Sequence, residues 1–585
     1  MFEAIGNWLA TNSNLINDTG LNALLALSIY VMVACGQLSL ATPAYAAIGA
    51  YTAALMTPMS GPRVPFVLQL SAGATLATVV AALLGLPLLR LSGIYLNIAS
   101  IGFVAVVSVF FLNFPPGGEG SGTPYIPPAT QSWQIYLILG LACYLFWRLE
   151  GSAVGRSLRS IRQDEAATRA LGIDAASHKL GAFAASGLIG GIAGVLYARL
   201  HFQITPTTFS FGEAVNDLTS VIVGGSFTWF GSLLGASLMT GLPDAFQFLQ
   251  NARNIVDGIV LLLVILFLPG GLVELPARTL GLIRRRRPVL TAPAAGEPAD
   301  ARDGQHGTQA PESGVKIGAE PLLRIEGVSC FFGGVHALEG VSMSVRAGTV
   351  HGLIGPNGAG KTTLVNVLTG FNRPTAGRIT FDGRRLDGRR TYQIARLGVA
   401  RTFQNIRLFA ALPAIENVLV ARHRHGLRRS LGRVAFLPTA ARHERREREA
   451  ALESLRLAGI HGDAGRPAGT LAYGDQRRVE IARALATQPR LLLLDEPAAG
   501  MNRQETTKLG EAIRALALPT RAILLIEHDL PLIMQVCDYI TVLNFGRVIA
   551  EGTPAEIAAN PAVIEAYLGH EDDVVALEQH DVAAL

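Results

Sequence analysis

The sequence predicts two domains of unlike class: an N-terminal all-α, polytopic membrane domain and a C-terminal α/β domain of the phosphate-loop type. Three observations carry this reading. Long apolar runs follow one another as far as residue 272. A Gly-rich stretch, Gly355–Thr363, follows a short apolar run and opens a helix. Between the two lies a stretch of Ala, Pro, Gly, Glu, Asp and Gln that cannot build a core. At 585 residues the chain is too long for one core. Its averages, 50% hydrophobic and 16% charged with mean hydropathy +0.36, lean toward a membrane protein but mix two unlike halves.

The apolar runs lie near 21–41, 43–59, 64–89, 93–112, 133–147, 180–200, 213–242 and 254–272. Several reach the ~20 residues that a helix needs to cross ~30 Å of hydrocarbon, while others are short or broken by Gly and Pro. Met1–Gly20 shows no basic n-region or cleavage site, so the first run is expected to stay as a span. Arg148, Arg156, Arg159, Arg162 and Arg169 crowd the loop 148–179, and Arg284–Arg287 follow the last run, which makes both segments cytoplasmic. An even number of crossings must join them, yet 180–283 shows three runs. The middle one, 213–242, is interrupted by Gly224–Gly225 and Gly231, and reads as two short segments or a re-entrant pair, with one long tilted helix carrying packing glycines as the alternative. Glu213, Asp217, Asp244 and Asp257 fall near run ends, where interfacial water is expected to solvate them.

The formal net charge of +5 does not point to nucleic acid, because the arginines cluster beside spans and in 421–449. Cys35, Cys143, Cys330 and Cys537 are scattered, with no CxxC pair, so no disulfide framework or zinc site is readable. The loop from Gly155 to Gly172 reads as one short amphipathic helix, with Leu158, Ile161, Glu165 and Ala166 at helical spacing. From Pro288 to Pro321 the chain is a flexible tether spanning roughly 30 Å.

In the second half, Val350–Ile354 is followed by Gly355-Pro356-Asn357-Gly358-Ala359-Gly360-Lys361-Thr362-Thr363, matching G-x-x-x-x-G-K-[ST] between strand and helix. The glycines let backbone N–H groups curl around phosphates, and the helix N-terminus favours their charge. Lys361 is placed for the β- and γ-phosphates of ATP and Thr362 for Mg²⁺. Leu491–Leu494 reads as a strand buried on both faces, with Asp495 and Glu496 at its end. Asp495 is expected to hold Mg²⁺ and Glu496 to polarise the attacking water.

Further motifs follow in order. Leu471-Ala472-Tyr473-Gly474-Asp475-Gln476 precedes the strand, and Gln404 sits in Ala-Arg-Thr-Phe-Gln-Asn. His528 follows Ala522–Ile526, and Ala499–Asn502 follows the acidic pair. Together these resemble the signature, Q-loop, switch histidine and D-loop of ABC ATPases, and Phe332 resembles the aromatic that stacks on adenine. Arg401-Thr-Phe-Gln-Asn-Ile-Arg-Leu-Phe409, Asp495-Glu-Pro-Ala-Ala-Gly500, Ile526-Glu-His-Asp529 and Tyr567-Leu-Gly569 resemble the ATPases of branched-chain amino acid importers. Leu88–Leu96, Ala170-Leu-Gly-Ile173 and Val223-Gly-Gly225 with Gly231 resemble the permeases of that group.

The resemblance implies a permease domain (1–283), a linker (284–320), an ABC nucleotide-binding domain with a helical subdomain (321–571) and an acidic tail (572–585). It implies Glu496, His528 and Gln404 as catalytic residues, and Gln404 as a link between Mg²⁺ and the membrane half. The segment 155–172 would be a coupling helix, with Gly155, Arg159, Asp164, Glu165 and Ala166. One phosphate loop and one signature cannot close a site alone, so a second permease/ATPase half is implied, either a copy of the chain or related subunits. A separate extracytoplasmic solute-binding protein and a multi-pass place in the bacterial inner membrane, with the ATPase cytoplasmic, are implied too. Two features depart from the family pattern. Ala472 stands where the signature serine is usual, which leaves open a subunit with weak or no hydrolysis, and permease and ATPase share one chain. An exporter is disfavoured by the many short, Gly-broken runs. Leucine-like amino acids lead as solute, with urea or short amides as the alternative.

Overall fold

The computed structural model describes residues 12–57, 64–91, 93–113, 130–201, 203–245, 253–275, 321–422, 438–460 and 462–568. The linker 284–320, Arg284–Arg287 and the acidic tail lie outside the described residues. Contacts divide the chain into two compact units: Met1–Arg162 with Ala176–Ser313, and Gln163–Ala175 with Gly314–Leu585.

The first unit is helical. In chain order it holds α1 (Ser13–Ala34), α2 (Thr42–Leu55), α3 (Phe66–Leu88), α4 (Ile94–Asn113), α5 (Ser132–Glu150) and α6 (Ala153–Gln163). After α7 (Glu165–Ala170), which belongs to the second unit, come α8 (Ala175–Leu200), α9 (Phe211–Gly224), α10 (Trp229–Ala245) and α11 (Arg253–Phe267). Four of these, α1, α3, α4 and α8, have 20 to 26 residues and apolar windows of mean hydropathy 1.4 to 2.2. At 1.5 Å per residue they are about 30–39 Å long, enough to cross a bilayer. Their burial sorts them: α1 is 72% buried and central, whereas α3 and α4 are 28% and 22% buried. Val67, Leu76, Leu83 and Leu86 of α3, and Ile98, Val106 and Phe110 of α4, are left outward as a lipid-facing wall.

The long run 213–242 is two helices, α9 and α10, bent by 119° at the break between them. Glycine makes the hairpin possible: a Cβ on Gly224 would stand 1.7 Å from the Gly231 carbonyl oxygen, and one on Gly235 1.8 Å from that of Ser220. Polar contacts fix the level of the turn. Arg162 donates from Nη1 to Ser226 O (2.8 Å) and from Nη2 to Ser226 Oγ (3.3 Å), with its guanidinium 4.4 Å from the Phe227 ring. At the far end of α8, His201 Nε2 meets Asp18 Oδ1 at 3.1 Å. With Arg162 on the cytoplasmic side, α8 runs outward, and α9 and α10 form a broken span or re-entrant pair whose turn lies beside Arg162. At 14 and 17 residues, α9 and α10 are about 21 and 26 Å long, each shorter than a full span.

The acidic side chains overturn one expectation. Asp217 is 3% and Asp257 9% exposed, so interfacial water does not solvate them. The hairpin packs α9 against α1, α10 and α11, and this turns Asp217 inward. Asp217 Oδ2 has no hydrogen-bond partner among the described residues.

The second unit is α/β. Its strands are β1 (Leu323–Phe332), β2 (Val335–Val345), β3 (Val350–Ile354), β4 (Ala376–Phe381), β5 (Arg384–Arg385), β6 (Val399–Arg401), β7 (Leu491–Asp495), β8 (Ala522–Ile526), β9 (Tyr539–Asn544) and β10 (Arg547–Gly552). Its helices after α7 are α12 (Lys361–Leu368), α13 (Thr391–Leu397), α14 (Ala414–Arg422), α15 (Pro438–Leu457), α16 (Tyr473–Ala486), α17 (Arg503–Leu516), α18 (Leu530–Val536), α19 (Pro554–Ala558) and α20 (Pro561–Leu568). One sheet has the order β2-β1-β4-β5 and is antiparallel. The other has the order β10-β9-β3-β8-β7-β6, parallel throughout except for the β9–β10 edge pair. Every residue of β3, β7 and β8 is buried, as central parallel strands covered on both faces require. Their C-terminal ends place the loops 355–360, 496–502 and 527–529 along one edge, where ligands bind in such sheets. Helices α14, α15 and α16 pack on one another as a helical subdomain.

Candidate functional site

The site grows from the ends of these strands. After β3 the chain turns through Gly358 (φ 81°) and Gly360 (φ 100°) into α12. Gly360 is the N-cap of α12, and a Cβ there would stand 2.6 Å from the Ala337 carbonyl oxygen, so only glycine fits. Lys361 Nζ donates to Gly355 O (2.6 Å) and Pro356 O (2.9 Å), curling the loop onto itself. Burial pushes the Lys361 ammonium below its usual range, while Glu496 and Asp495 pull it back up.

Asp495 ends β7 at 2% exposure. Its Oδ2 accepts from Arg401 Nη2 (2.9 Å), and Arg401 Nη1 reaches Asn366 Oδ1 of α12 (2.6 Å). Glu496 has φ 47°, a left-handed conformation that a non-glycine residue holds only where its surroundings fix it. Here its N–H donates to Ile526 O (2.9 Å) and its carbonyl accepts from Arg477 Nη2 (3.0 Å). His528 Nδ1 lies 3.9 Å from Glu496 Oε2 and 3.7 Å from Glu527 Oε2.

The Q-loop segment 402–410 is braced from beneath by α16. Arg477 Nη1 donates to Phe403 O (2.7 Å) and Nη2 to Gln404 O (3.0 Å). Glu480 Oε1 accepts from Phe403 N (3.2 Å), and Arg483 Nη1 donates to Arg407 O (2.6 Å). The Gln404 side chain itself is exposed. Ala472 is the N-cap of α16, with no side-chain cap, and Gln476 Nε2 donates to Leu471 O (2.8 Å). Asp475 Oδ1 accepts from Arg478 (3.1 Å), and the Tyr473 ring lies 3.4 Å from where a Cβ on Gly500 would stand. Thus the structure joins the phosphate loop, Asp495, Glu496, His528 and the Gln404 backbone. It sets Leu471–Asp475 beside the D-loop, and among the described residues none of these five bonds to the phosphate loop. Phe332, at the end of β1, is 48% exposed opposite Val335.

Comparison with known proteins decides the lineage. Residues 12–268 match the family "Branched-chain amino acid transport system / permease component", 338–499 match "ABC transporter", and 547–573 match "Branched-chain amino acid ATP-binding cassette transporter". BraF of Pseudomonas aeruginosa, a high-affinity branched-chain amino acid transport ATP-binding protein, is 48% identical over 252 residues, 43% of this chain and 99% of BraF. LivG of Escherichia coli, described in the same words, is 46% identical over the same shares. The chain belongs to the branched-chain amino acid ABC transporters. A solved ATP-binding cassette of an ABC transporter, in its ADP conformation, is 32% identical, covering 43% of this chain and 100% of that one with a TM-score of 0.38. The transporter joins permease and ATPase in one chain, sits in a membrane with its ATPase cytoplasmic, and binds and hydrolyses ATP to drive transport.

The transporter's membrane loop corrects another expectation. The stretch 155–172 is not one helix, because α6 ends at Gln163 and α7 starts afresh. Asp164 breaks it: extended (φ −153°, ψ 103°), it N-caps α7 by accepting Ala167 N at Oδ1 (2.9 Å). Gly155 and Arg159 belong to the permease unit, where Arg159 Nη2 donates to Glu150 O (3.2 Å). Asp164, Glu165 and Ala166 belong to the ATPase unit. Sequence reasoning assigned no role to Arg401, Glu480, Arg483 and Glu527. The signal for the ladder was present, since charges at 477, 480 and 483 repeat every three residues among Val479, Ile481 and Ala482. Glu527 is 1% exposed and accepts from Ala498 N (2.7 Å); burial raises its carboxyl above the usual range.

A small cavity of ≈ 10 Å³ lies in the permease unit among Asn22, Glu213, Asn216, Asp217, Thr240 and Asp257. Asn22 Nδ2 donates to Thr240 Oγ1 (2.9 Å) across it. Its volume admits about one water-sized group.

Proposed function

We propose that the chain imports branched-chain or related small amino acids across the bacterial inner membrane, as matched permease and ATPase. A second such half and a separate extracytoplasmic solute-binding protein would complete the importer. The observation that carries this is the convergence of phosphate loop, Asp495–Glu496 pair and His528 on one sheet edge, in the same chain as a branched-chain permease bundle. The domains are 1–283, 284–320, 321–571 and 572–585, with Gln163–Ala175 working alongside the ATPase.

In this reading Gly355–Thr363 hold the phosphates through backbone N–H groups and Lys361, and Phe332 stacks on adenine. Thr362, Gln404 and Asp495 offer hydroxyl, amide carbonyl and carboxylate oxygens. Such a hard-oxygen set suits Mg²⁺, whose charge would neutralise the phosphates. Glu496 orients and deprotonates the attacking water, and His528, beside it, contacts the γ-phosphate. Leu471, Ala472, Tyr473, Gly474 and Asp475 face the nucleotide bound by the second ATPase. Asp164, Glu165 and Ala166, with Gly155 and Arg159 upstream, carry its closure to the permease.

The test is ATP hydrolysis by the purified protein and leucine uptake in cells producing it. Glu496→Gln is expected to lower turnover about a hundredfold while ATP binding persists. Wild-type protein that binds ATP without turnover would favour the second reading, a subunit of weak hydrolysis, which the uncapped Ala472 supports. Uptake of urea in place of leucine would move the solute class.

A further inference from the structure

Within the second unit, the segment Gln163–Ala175 is gripped at both ends by arginines of the ATPase. At its start, Arg407 Nη1 bonds Asp164 Oδ2 (3.2 Å), and Ala411 N donates to Gln163 Oε1 (3.1 Å). At its end, Arg396 Nε donates to Gly172 O (2.8 Å), just past the last turn of α7. Asp164 is therefore shared, with Oδ1 capping α7 and Oδ2 meeting Arg407. The Gly172 carbonyl lies at the negative end of that helix, where a cation is favoured. Neither arginine is loosely placed. The Arg407 backbone is pinned from beneath by Arg483 and Glu480, and its guanidinium lies 5.3 Å from the Phe403 ring. Arg396 lies 5.1 Å from the Tyr392 ring on α13.

We propose that Arg407 and Arg396 form a two-ended socket that recognises a short helix by its acidic N-cap and its C-terminal carbonyl, and so decides which permease loop this ATPase accepts. The inference rests on the transport reading above, and adds the residues on the ATPase side and the chemistry they select. A loop with a neutral cap, or a helix longer by a turn, would meet one arginine and miss the other. Two contacts at opposite ends of one helix fix its length and direction, as a single apolar groove would not.

The test is hydrogen exchange of the full-length protein in nanodiscs, with basal ATP hydrolysis and leucine uptake beside it. Asp164→Asn keeps a good N-cap and loses the charge, while Arg407→Ala removes the other partner. Each is expected to speed exchange of the amides from Ala167 to Gly172 about threefold. The double variant should show no further gain, and basal hydrolysis should stay within about twofold of wild type. Uptake per ATP hydrolysed should fall in each. Gains that multiply in the double variant, or exchange unchanged in Asp164→Asn, would overturn the socket. Should Arg407→Ala fail to fold, Asp164→Asn against Arg396→Ala decides the matter, since the two ends should loosen α7 independently. A wild-type protein that hydrolyses no ATP would fail the transport reading instead, leaving the exchange result to judge the socket.

Discussion

Glu480 is a residue whose loss the structure makes costly. It is 1% exposed between Arg477 (0%) and Arg483 (1%), at 3.0 Å and 3.6 Å. One carboxylate thus serves two buried guanidinium groups and also accepts from the backbone N–H of Phe403 (3.2 Å) and, weakly, Arg407 (3.5 Å). Glu480→Ala leaves two buried cations uncompensated, which costs about 3–5 kcal/mol. The orphaned Phe403 N–H adds about 1 kcal/mol, the long Arg407 contact less. The sum, about 4–6 kcal/mol, is a large part of the 5–15 kcal/mol that typically holds a domain. Glu480→Gln keeps an acceptor for Phe403 and should lose roughly half as much. The assay is denaturant unfolding of the purified full-length protein, followed by a probe in the ATPase domain. A loss below about 1 kcal/mol for Glu480→Ala would refute the view that the ladder is a closed, charge-compensated unit.

Three further predictions follow from the same geometry. His351 Nε2 lies 2.8 Å from Thr541 Oγ1, which donates to Glu551 Oε1 (2.9 Å), and burial pushes the imidazole pKa down to about 4. Because the folded value lies below the usual 6.5, stability should fall as pH drops from 6.5 toward 4. The loss is at most about 3 kcal/mol, reduced by Glu551, whose burial raises its pKa and acts oppositely. Melting between pH 7 and pH 5 should show this slope, and His351→Gln should flatten it. Asp217→Asn should raise the melting temperature by the equivalent of about 1 kcal/mol, since it replaces a buried carboxylate, whose Oδ2 has no partner among the described residues, by a neutral group of the same shape; a lower melting temperature would show the charge in use. Ala472→Ser should stabilise the start of α16 by about 0.5–1 kcal/mol through a new cap, and the alanine protein should already turn over ATP without it. Turnover that appears only with serine would favour the weak-hydrolysis reading.

The legible parts were those set by local chemistry. Phosphate loop, buried strand and acidic pair are contiguous segments whose spacing states their geometry, and β3, α12 and β7 fall where the motifs require. The hairpin of α9 and α10 was also legible, because parity forced a break that Gly224 and Gly231 could supply. Other features were set by tertiary packing. Asp217 looked interfacial because its run seemed to end nearby, and only the fold of α9 against α1 and α11 shows it buried. The 155–172 stretch has helical spacing throughout, yet Asp164 satisfies α7 better as a cap than as an interior residue. Arg401 gives no local sign of its role, since Asn366 and Asp495, which it joins, lie 35 and 94 residues away.

Catalysis and coupling rest on the same support in this molecule. Arg477 bonds the carbonyls of Gln404 and Glu496 with one nitrogen, at 3.0 Å each, while its other nitrogen holds Phe403. The left-handed backbone of Glu496 costs about 1–3 kcal/mol, so it persists only while such contacts over-determine it. Three residues further along the Q-loop, Arg407 is fixed by Arg483 on the same helix and reaches out to Asp164. A displacement of Asp164 therefore meets a loop tied twice to α16, and α16 begins within Leu471–Asp475 and braces Glu496, the proposed general base. A rigid link of this kind transmits small shifts without a loss at each joint, because buried, hydrogen-bonded charges have few alternative arrangements. The exposed Gln404 side chain lies between the two ties, so its point of attachment is fixed by α16 while its amide is free to rotate.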